Sequence, residues 1–174
     1  MRQFLFFTSF ILLIDSSSAQ VFFNRRYDLS EGENGSSILQ DSNTYVAVVG
    51  TYSSTSLVKL QLIKLDSIGN IILNKTIESP TTSYYSGGSG SLSRTIAGGF
   101  VVGGGKNDST NSNSDDATIY LFDNLGDTLW TKTFGDTLFQ TFYQCKQTSD
   151  NGFICSGETT SSDSYGNVLN LLRN

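Results

Sequence analysis

Residues 120–127 read Tyr120-Leu121-Phe122-Asp123-Asn124-Leu125-Gly126-Asp127, and residues 63–70 read Ile63-Lys64-Leu65-Asp66-Ser67-Ile68-Gly69-Asn70. Each is a run with apolar side chains followed by the same Asp-x-x-Gly turn. Working outward, a basic strand follows each turn: Leu73-Asn74-Lys75-Thr76-Ile77 after the first, Trp130-Thr131-Lys132-Thr133-Phe134 after the second. A third copy, Phe23-Asn24-Arg25-Arg26-Tyr27, stands near the start. A hairpin marker then recurs. Asp41-Ser42-Asn43-Thr44-Tyr45 leads into 46–50, Ala97-Gly98-Gly99-Phe100 into 101–103, and Ser149-Asp150-Asn151-Gly152-Phe153 into 154–157. Gly and Asn accept positive φ at low cost, so these clusters between apolar runs read as tight turns. Self-similarity at a fixed period marks repeat architecture.

The first unit resolves into four candidate strands: Ser36 to Gln40, Tyr45 to Thr51, Leu57 to Asp66 and Ile71 to Ile77. No segment beyond the leader reads as a helix. Four antiparallel strands repeated at roughly 40 to 50 residues is the layout of β-propeller blades. Ala47-Val48-Val49 and Phe100-Val101-Val102 are apolar on both faces. That suits a sheet covered on both sides, whereas a β-sandwich shows cleaner alternation. The expected fold is all-β: a partial β-propeller of about three four-stranded blades, with units near 23–72, 73–129 and 130–174. A β-sandwich and an open β-solenoid are the competing architectures. Val21 to Tyr27 is expected to be the outermost strand of a blade lying elsewhere, and the chain to be a fragment of a longer repeat protein.

The leader is a separate signal. Arg2 is followed by an apolar run from Phe4 to Ile14, then by Ser16, Ser17, Ser18 and Ala19 ahead of Gln20. That order marks a secretory signal peptide at 1–19, and the run is shorter than the roughly 20 residues a membrane helix needs. The mature chain, 20–174, is expected to be secreted or held at the cell surface. Aromatics at 12% argue for a folded chain rather than a disordered one. A net charge of −5 argues against nucleic acid as a partner.

Leu129 to Gly135, Leu121 to Asp127 and Thr148 to Gly157 together resemble repeats of large secreted bacterial proteins, many of which carry a C-terminal sorting domain for type IX secretion. The likeness spans nearly all of the mature chain and is best in the second and third units. The first departs from it, with Phe23 in place of Trp and Asn43-Thr44 in place of Asn-Gly or Gly-Gly. The resemblance implies an extracellular or cell-surface propeller with no established chemistry. The sorting domain itself is absent from this sequence.

Chemistry is hard to find. The chain has no histidine, which removes Ser-His-Asp triads and histidine zinc sites. Gly103-Gly104-Gly105-Lys106 lacks the phosphate-loop spacing and reads as a strand end packed near the propeller axis. Cys145 and Cys155 flank a hairpin, either as a disulfide or as two small buried residues. Asn107 to Asp116 is rich in oxygen donors, with Asp115 and Asp116 the carboxylates to watch for Ca²⁺. It lacks the EF-hand pattern and reads more simply as a solvated loop. Glu31, Glu33, Glu78 and Glu158 sit in no motif and read as exposed charge. Tyr84-Tyr85, in the Ser/Gly-rich stretch Ser79 to Ser93, reads as part of an inter-strand connection, and Trp130 as packing. No catalytic residue, metal site or cofactor is assigned. The expected function is a non-catalytic interaction, adhesion or structural module with a protein or carbohydrate ligand. The alternative is a fragment of a secreted polysaccharide-active enzyme, with two carboxylates converging near the axis.

Overall fold

The computed structural model describes residues 23–29, 32–52, 54, 57–108, 115–135, 139–160 and 166–172. The expected signal peptide lies outside them. Every regular element described is a strand: β1 (Gly32–Asp41), β2 (Thr44–Tyr52), β3 (Val58–Leu65), β4 (Ile71–Ile77), β5 (Thr82–Ser86), β6 (Leu92–Arg94), β7 (Phe100–Asp108), β8 (Asp115–Phe122), β9 (Thr128–Phe134), β10 (Gln140–Gln147), β11 (Phe153–Thr159) and β12 (Gly166–Leu172). They form three antiparallel sheets in sequential order, β1-β2-β3-β4, then β5-β7-β8-β9 with β6 also on β7, then β10-β11-β12.

The Asp-x-x-Gly turns explain how consecutive strands reverse. Asp66 Oδ1 accepts from the backbone N–H of Ile68 and of Asn70, at 3.0 and 2.8 Å. Asp123 Oδ1 accepts from Leu125 and Asp127, at 2.9 and 2.8 Å. A carboxylate that satisfies two turn amides replaces the ladder bonds the chain gives up there. Gly69 and Gly126 close the two turns at φ 82 and 75, a region where a side chain is strained. Their hydrogens also face packing. A Cβ on Gly126 would come within 2.8 Å of Leu73 of β4, and one on Gly69 within 2.5 Å of Phe23.

Period-two alternation then sorts side chains onto opposite faces of each sheet. Val46, Val48, Leu60 and Leu62 of the first sheet meet Leu92, Phe100, Val102, Tyr120 and Phe122 of the second in one buried cluster. From the opposite face of the second sheet, Val101, Ala117 and Ile119 meet Phe142, Cys145, Phe153 and Cys155 of the third. The second sheet is thus covered on both sides, which is why β7 runs from Phe100 to Gly105 without a polar side chain.

The far face of the first sheet carries Val49, Ile63 and Leu65, and residues 23–29 pack on it through Tyr27 and Leu29. The strand expected at Val21 to Tyr27 is not formed over residues 23–27, and Val21 and Phe22 lie outside the described residues. The contacts of residues 23–29 nonetheless match those of β4 on the next sheet. Phe23 sits at Gly69 as Leu73 sits at Gly126. Arg25 bonds Asn70 at 2.6 Å, as Lys75 bonds Asp127 at 2.5 Å.

The expected strands of the first unit are all present. β1 is longer than its expectation, starting at Gly32 instead of Ser36, because Gly32 to Gly35 continue the ladder along Tyr52 to Val49. Tyr84 and Tyr85 are a correction. They lie in β5, not in a loop, because β5 pairs with β7 opposite Lys106 and Gly105. Polar composition masked that strand. Its side chains are half-buried throughout, and Gly105 opposite leaves room for the Tyr85 ring.

Candidate functional site

Each sheet opens on a first strand that departs from regular pairing at an equivalent place. In β1 the register slips between Gly35 and Ser37, and in β10 between Phe142 and Gln144. In the second sheet the same edge is broken outright: β5 ends at Ser86 and β6 begins at Leu92, both on β7. The gap is bridged by Gly87 N–H to Gly103 O at 2.9 Å and Gly103 N–H to Ser91 O at 3.0 Å. A Cβ on Gly87 would fall 1.8 Å from Phe142 O, so the loop at 87–91 is pressed against β10. Bulges unpair one residue, bend the strand and re-aim side chains, and they recur beside binding sites.

Here the re-aimed residues line one cavity. A groove of about 950 Å³ runs between β1, β6 and β10, lined by Gly35, Ser36, Ser37, Ser89, Gly90 and Gln144 from the irregular positions. Leu39, Ile38, Gln40, Arg94, Lys146 and Gln147 complete its wall, with Ala47, Val48, Leu92 and Ser93. Ile38 is 64% exposed, and with Leu39, Ala47, Val48 and Leu92 it makes the apolar part of the wall. Hydroxyls and amides are set among these apolar side chains. Ser37 Oγ accepts from Leu92 N–H at 3.3 Å, and Ser36 and Ser86 share a short hydroxyl contact.

One buried carboxylate organises the charge. Asp41 is 8% exposed and closes β1. It pairs with Lys64 of its own sheet at 2.9 Å and with Arg94 of the second sheet. A buried carboxylate needs such partners, because leaving it unpaired in a low-dielectric site is costly. The pair therefore fixes Arg94 at the groove edge. Gln147 is fixed similarly, its Oε1 accepting from Ile96 N–H at 2.8 Å, which leaves its amide N–H groups to donate. Lys146 is exposed on β10.

The other residues singled out from sequence are dispersed. Cys145 and Cys155 face each other across β10 and β11 and are disulfide-bonded, with Cα atoms 4.1 Å apart. Both are buried in the seam against the second sheet. Gly103, Gly104 and Gly105 are buried mid-strand in β7 and not at its end. Each meets a close neighbour: Cys145 at Gly103, the Tyr85 backbone at Gly104, the Tyr85 ring at Gly105. Trp130 packs edge-on against Phe153 with centroids 5.4 Å apart.

Of the oxygen-rich run Asn107 to Asp116, residues 109–114 lie outside the described residues. Asp115 accepts from Asn107 Nδ2 at its base. Among the described residues no three His, Cys, Asp or Glu side chains gather to hold a metal. Glu33 accepts from Leu29 N–H at 2.8 Å, Glu78 pairs with Lys59, and Glu158 accepts from the Tyr143 hydroxyl. These three stand on separate elements, and none lines the groove. Glu31 lies outside the described residues.

The perturbed groups are structural in origin. Burial pushes the Tyr120 phenol above its usual value, and its hydroxyl donates to Gly105 O at 2.5 Å. Burial also raises the Tyr85 phenol, helped by the neighbouring Asp115 carboxylate. The Tyr143 phenol is raised because its proton is shared with Glu158. Neither Tyr120 nor Tyr143 lines the groove.

Sequence reasoning passed over Asp41, Arg94, Lys146 and the serines. Only Asp41 had a signal, as a charged residue before a tight turn. Comparison with known proteins adds no assignment: no family model and no curated protein matches the chain. Among the described residues, no helix is long and apolar enough to cross a membrane.

Proposed function

We propose that this chain is an exported, non-catalytic interaction module built from β-propeller blades, and that its ligand enters the groove between the first strands of the three sheets. The observation that carries the binding reading is the repeated irregularity. Three first strands give up ladder bonds at equivalent positions, and the residues freed there line one cavity. Unpaired strand positions cost stability, so their recurrence at one groove favours use over accident. The propeller reading is supported by residues 23–29. They stand to the first sheet as β4 stands to the second, as a closed ring of blades requires. Export is supported by the order of charged, apolar and small residues at 1–19, and the type IX likeness supports a surface or extracellular destination.

The test is retention on a panel of immobilised polysaccharides and extracellular proteins, with the wild type compared to Ser36→Trp, which fills the groove. The expected result is saturable retention that the substitution removes without altering the far-ultraviolet circular dichroism. No reducing ends should accumulate during incubation. Retention unchanged by Ser36→Trp, no retention on any member, or steady release of product would each overturn the reading. Protein recovered from the medium of a secreting host should begin at Gln20; an intact Met1 would overturn the export component.

A further inference from the structure

We infer that the groove is built for a carboxylated saccharide chain, a ligand class that rests on the binding reading above and goes beyond it. Three features of the wall converge. First, its charge is of one sign. Arg94 and Lys146 line it and no Asp or Glu does, in a chain whose net charge is −5. The carboxylate behind Arg94, that of Asp41, is already shared with Lys64, so this cluster presents a net positive charge to the groove. Charges of one sign along a groove favour the opposite charge in a partner.

Second, the uncharged wall suits a polyol. Ser37, whose hydroxyl accepts from Leu92 N–H and keeps its proton to donate, and Ser89 offer hydroxyls, Gln144 and Gln147 offer amides, and Ile38 offers an exposed aliphatic face. A saccharide ring presents the complementary set: hydroxyls at its edge, an apolar face, and a carboxylate where a uronic acid replaces a neutral sugar. Third, the strand edges are unsuited to an extended peptide. An acidic peptide would bind such a groove by adding a strand to β1, β6 or β10. The slips at Gly35/Ser37 and Phe142/Gln144, and the break at 87–91, interrupt all three edges where the groove is lined. Bulges of this kind blunt an edge against strand addition.

The measurement is isothermal titration of the wild-type chain with a short oligogalacturonate, with a neutral xylo-oligosaccharide of similar length, and with polyglutamate. Oligogalacturonate is expected to bind, more weakly as salt rises, and the neutral chain at least about tenfold more weakly, the worth of one charged hydrogen bond. Lys146→Gln, at an exposed position, should weaken oligogalacturonate about tenfold and the neutral chain by less. Ile38→Asp, which places a carboxylate in the groove, should weaken it further, with circular dichroism verifying the fold of both variants. Equal binding of the neutral chain, with Lys146→Gln silent, would overturn the charge inference while leaving a saccharide-binding module standing. Polyglutamate binding as tightly as oligogalacturonate would replace the saccharide with an acidic peptide. Oligogalacturonate failing to bind, while another panel member is retained through the groove, would overturn this inference alone. Failure of every ligand would overturn both.

Discussion

The seam between the first and second sheets and the seam between the second and third are the same repeat junction built from different material. The first is filled by bulk. Tyr120, Phe100 and Phe122, all at or below 2% exposure, interlock with the valines and leucines of β2 and β3. Its rim is stitched by polar bonds, Asp41 to Arg94 and Ser37 to the Leu92 amide. The second seam is filled by closeness. Gly103 brings the β7 backbone against β10, where a Cβ would lie 3.0 Å from Cys145 Sγ, and a disulfide takes the place of a large side chain. Two buried rings, Phe142 and Phe153, share this seam, and Phe134 and Trp130 meet them edge-on. The difference teaches that the repeat preserves strand order and turn chemistry, and leaves each junction free to reach native packing density by its own route. It also predicts that the two seams respond to different insults, as neighbouring units in a repeat array do.

The largest effect is expected in the bulk-filled seam. Tyr120→Ala removes a fully buried ring and its hydrogen bond to Gly105 O, and should cost about 4 kcal/mol. The urea midpoint followed by circular dichroism should fall sharply. Trp130 fluorescence, which reports the other seam, should lag behind it; coincident transitions would merge the two seams into one cooperative unit. Next comes the polar rim. Asp41→Ala leaves two cations without their shared partner and should cost about 3 kcal/mol, less than a fully buried pair because Arg94 is 47% exposed. Arg94→Gln combined with it should add little; full additivity would show that Asp41 does not act through that pair.

In the close-packed seam, replacing Cys145 and Cys155 together by Ala should cost about 2 kcal/mol. Dithiothreitol should lower the Trp130 midpoint of the wild type and leave that of the double variant unchanged. A shift of the circular dichroism midpoint without one in Trp130 would contradict the assignment of this bond to the second seam. The smallest effect is at the turn. The backbone N–H of Asn70, above all, holds the Asp66 carboxyl below the ordinary aspartate range. A lowered folded pKa contributes stability that is complete above about pH 4 and fades as pH falls through the lowered value. Asp66→Asn should therefore narrow its gap from the wild type in acid titrations followed by circular dichroism. A gap that widens below pH 4 would reverse the sign.

The local units are written in the order of the residues alone. Asp-x-x-Gly carries its own turn, because one side chain and one glycine satisfy that geometry without help from elsewhere. Apolar runs such as Phe100-Val101-Val102 carry their own burial on two faces. What only tertiary structure decided is where distant edges meet. Tyr84 and Tyr85 became strand because β7 lies alongside them, with Gly105 leaving room for the Tyr85 ring, and Asp41 became an inter-sheet anchor because Arg94 arrives from the next sheet. The two cysteines, left open between a bond and mere burial, are joined through the register of β10 and β11. The groove has no contiguous signature at all. It is assembled from short polar stretches of three first strands, each unremarkable alone, because side-chain period encodes which face is buried but not which neighbour buries it.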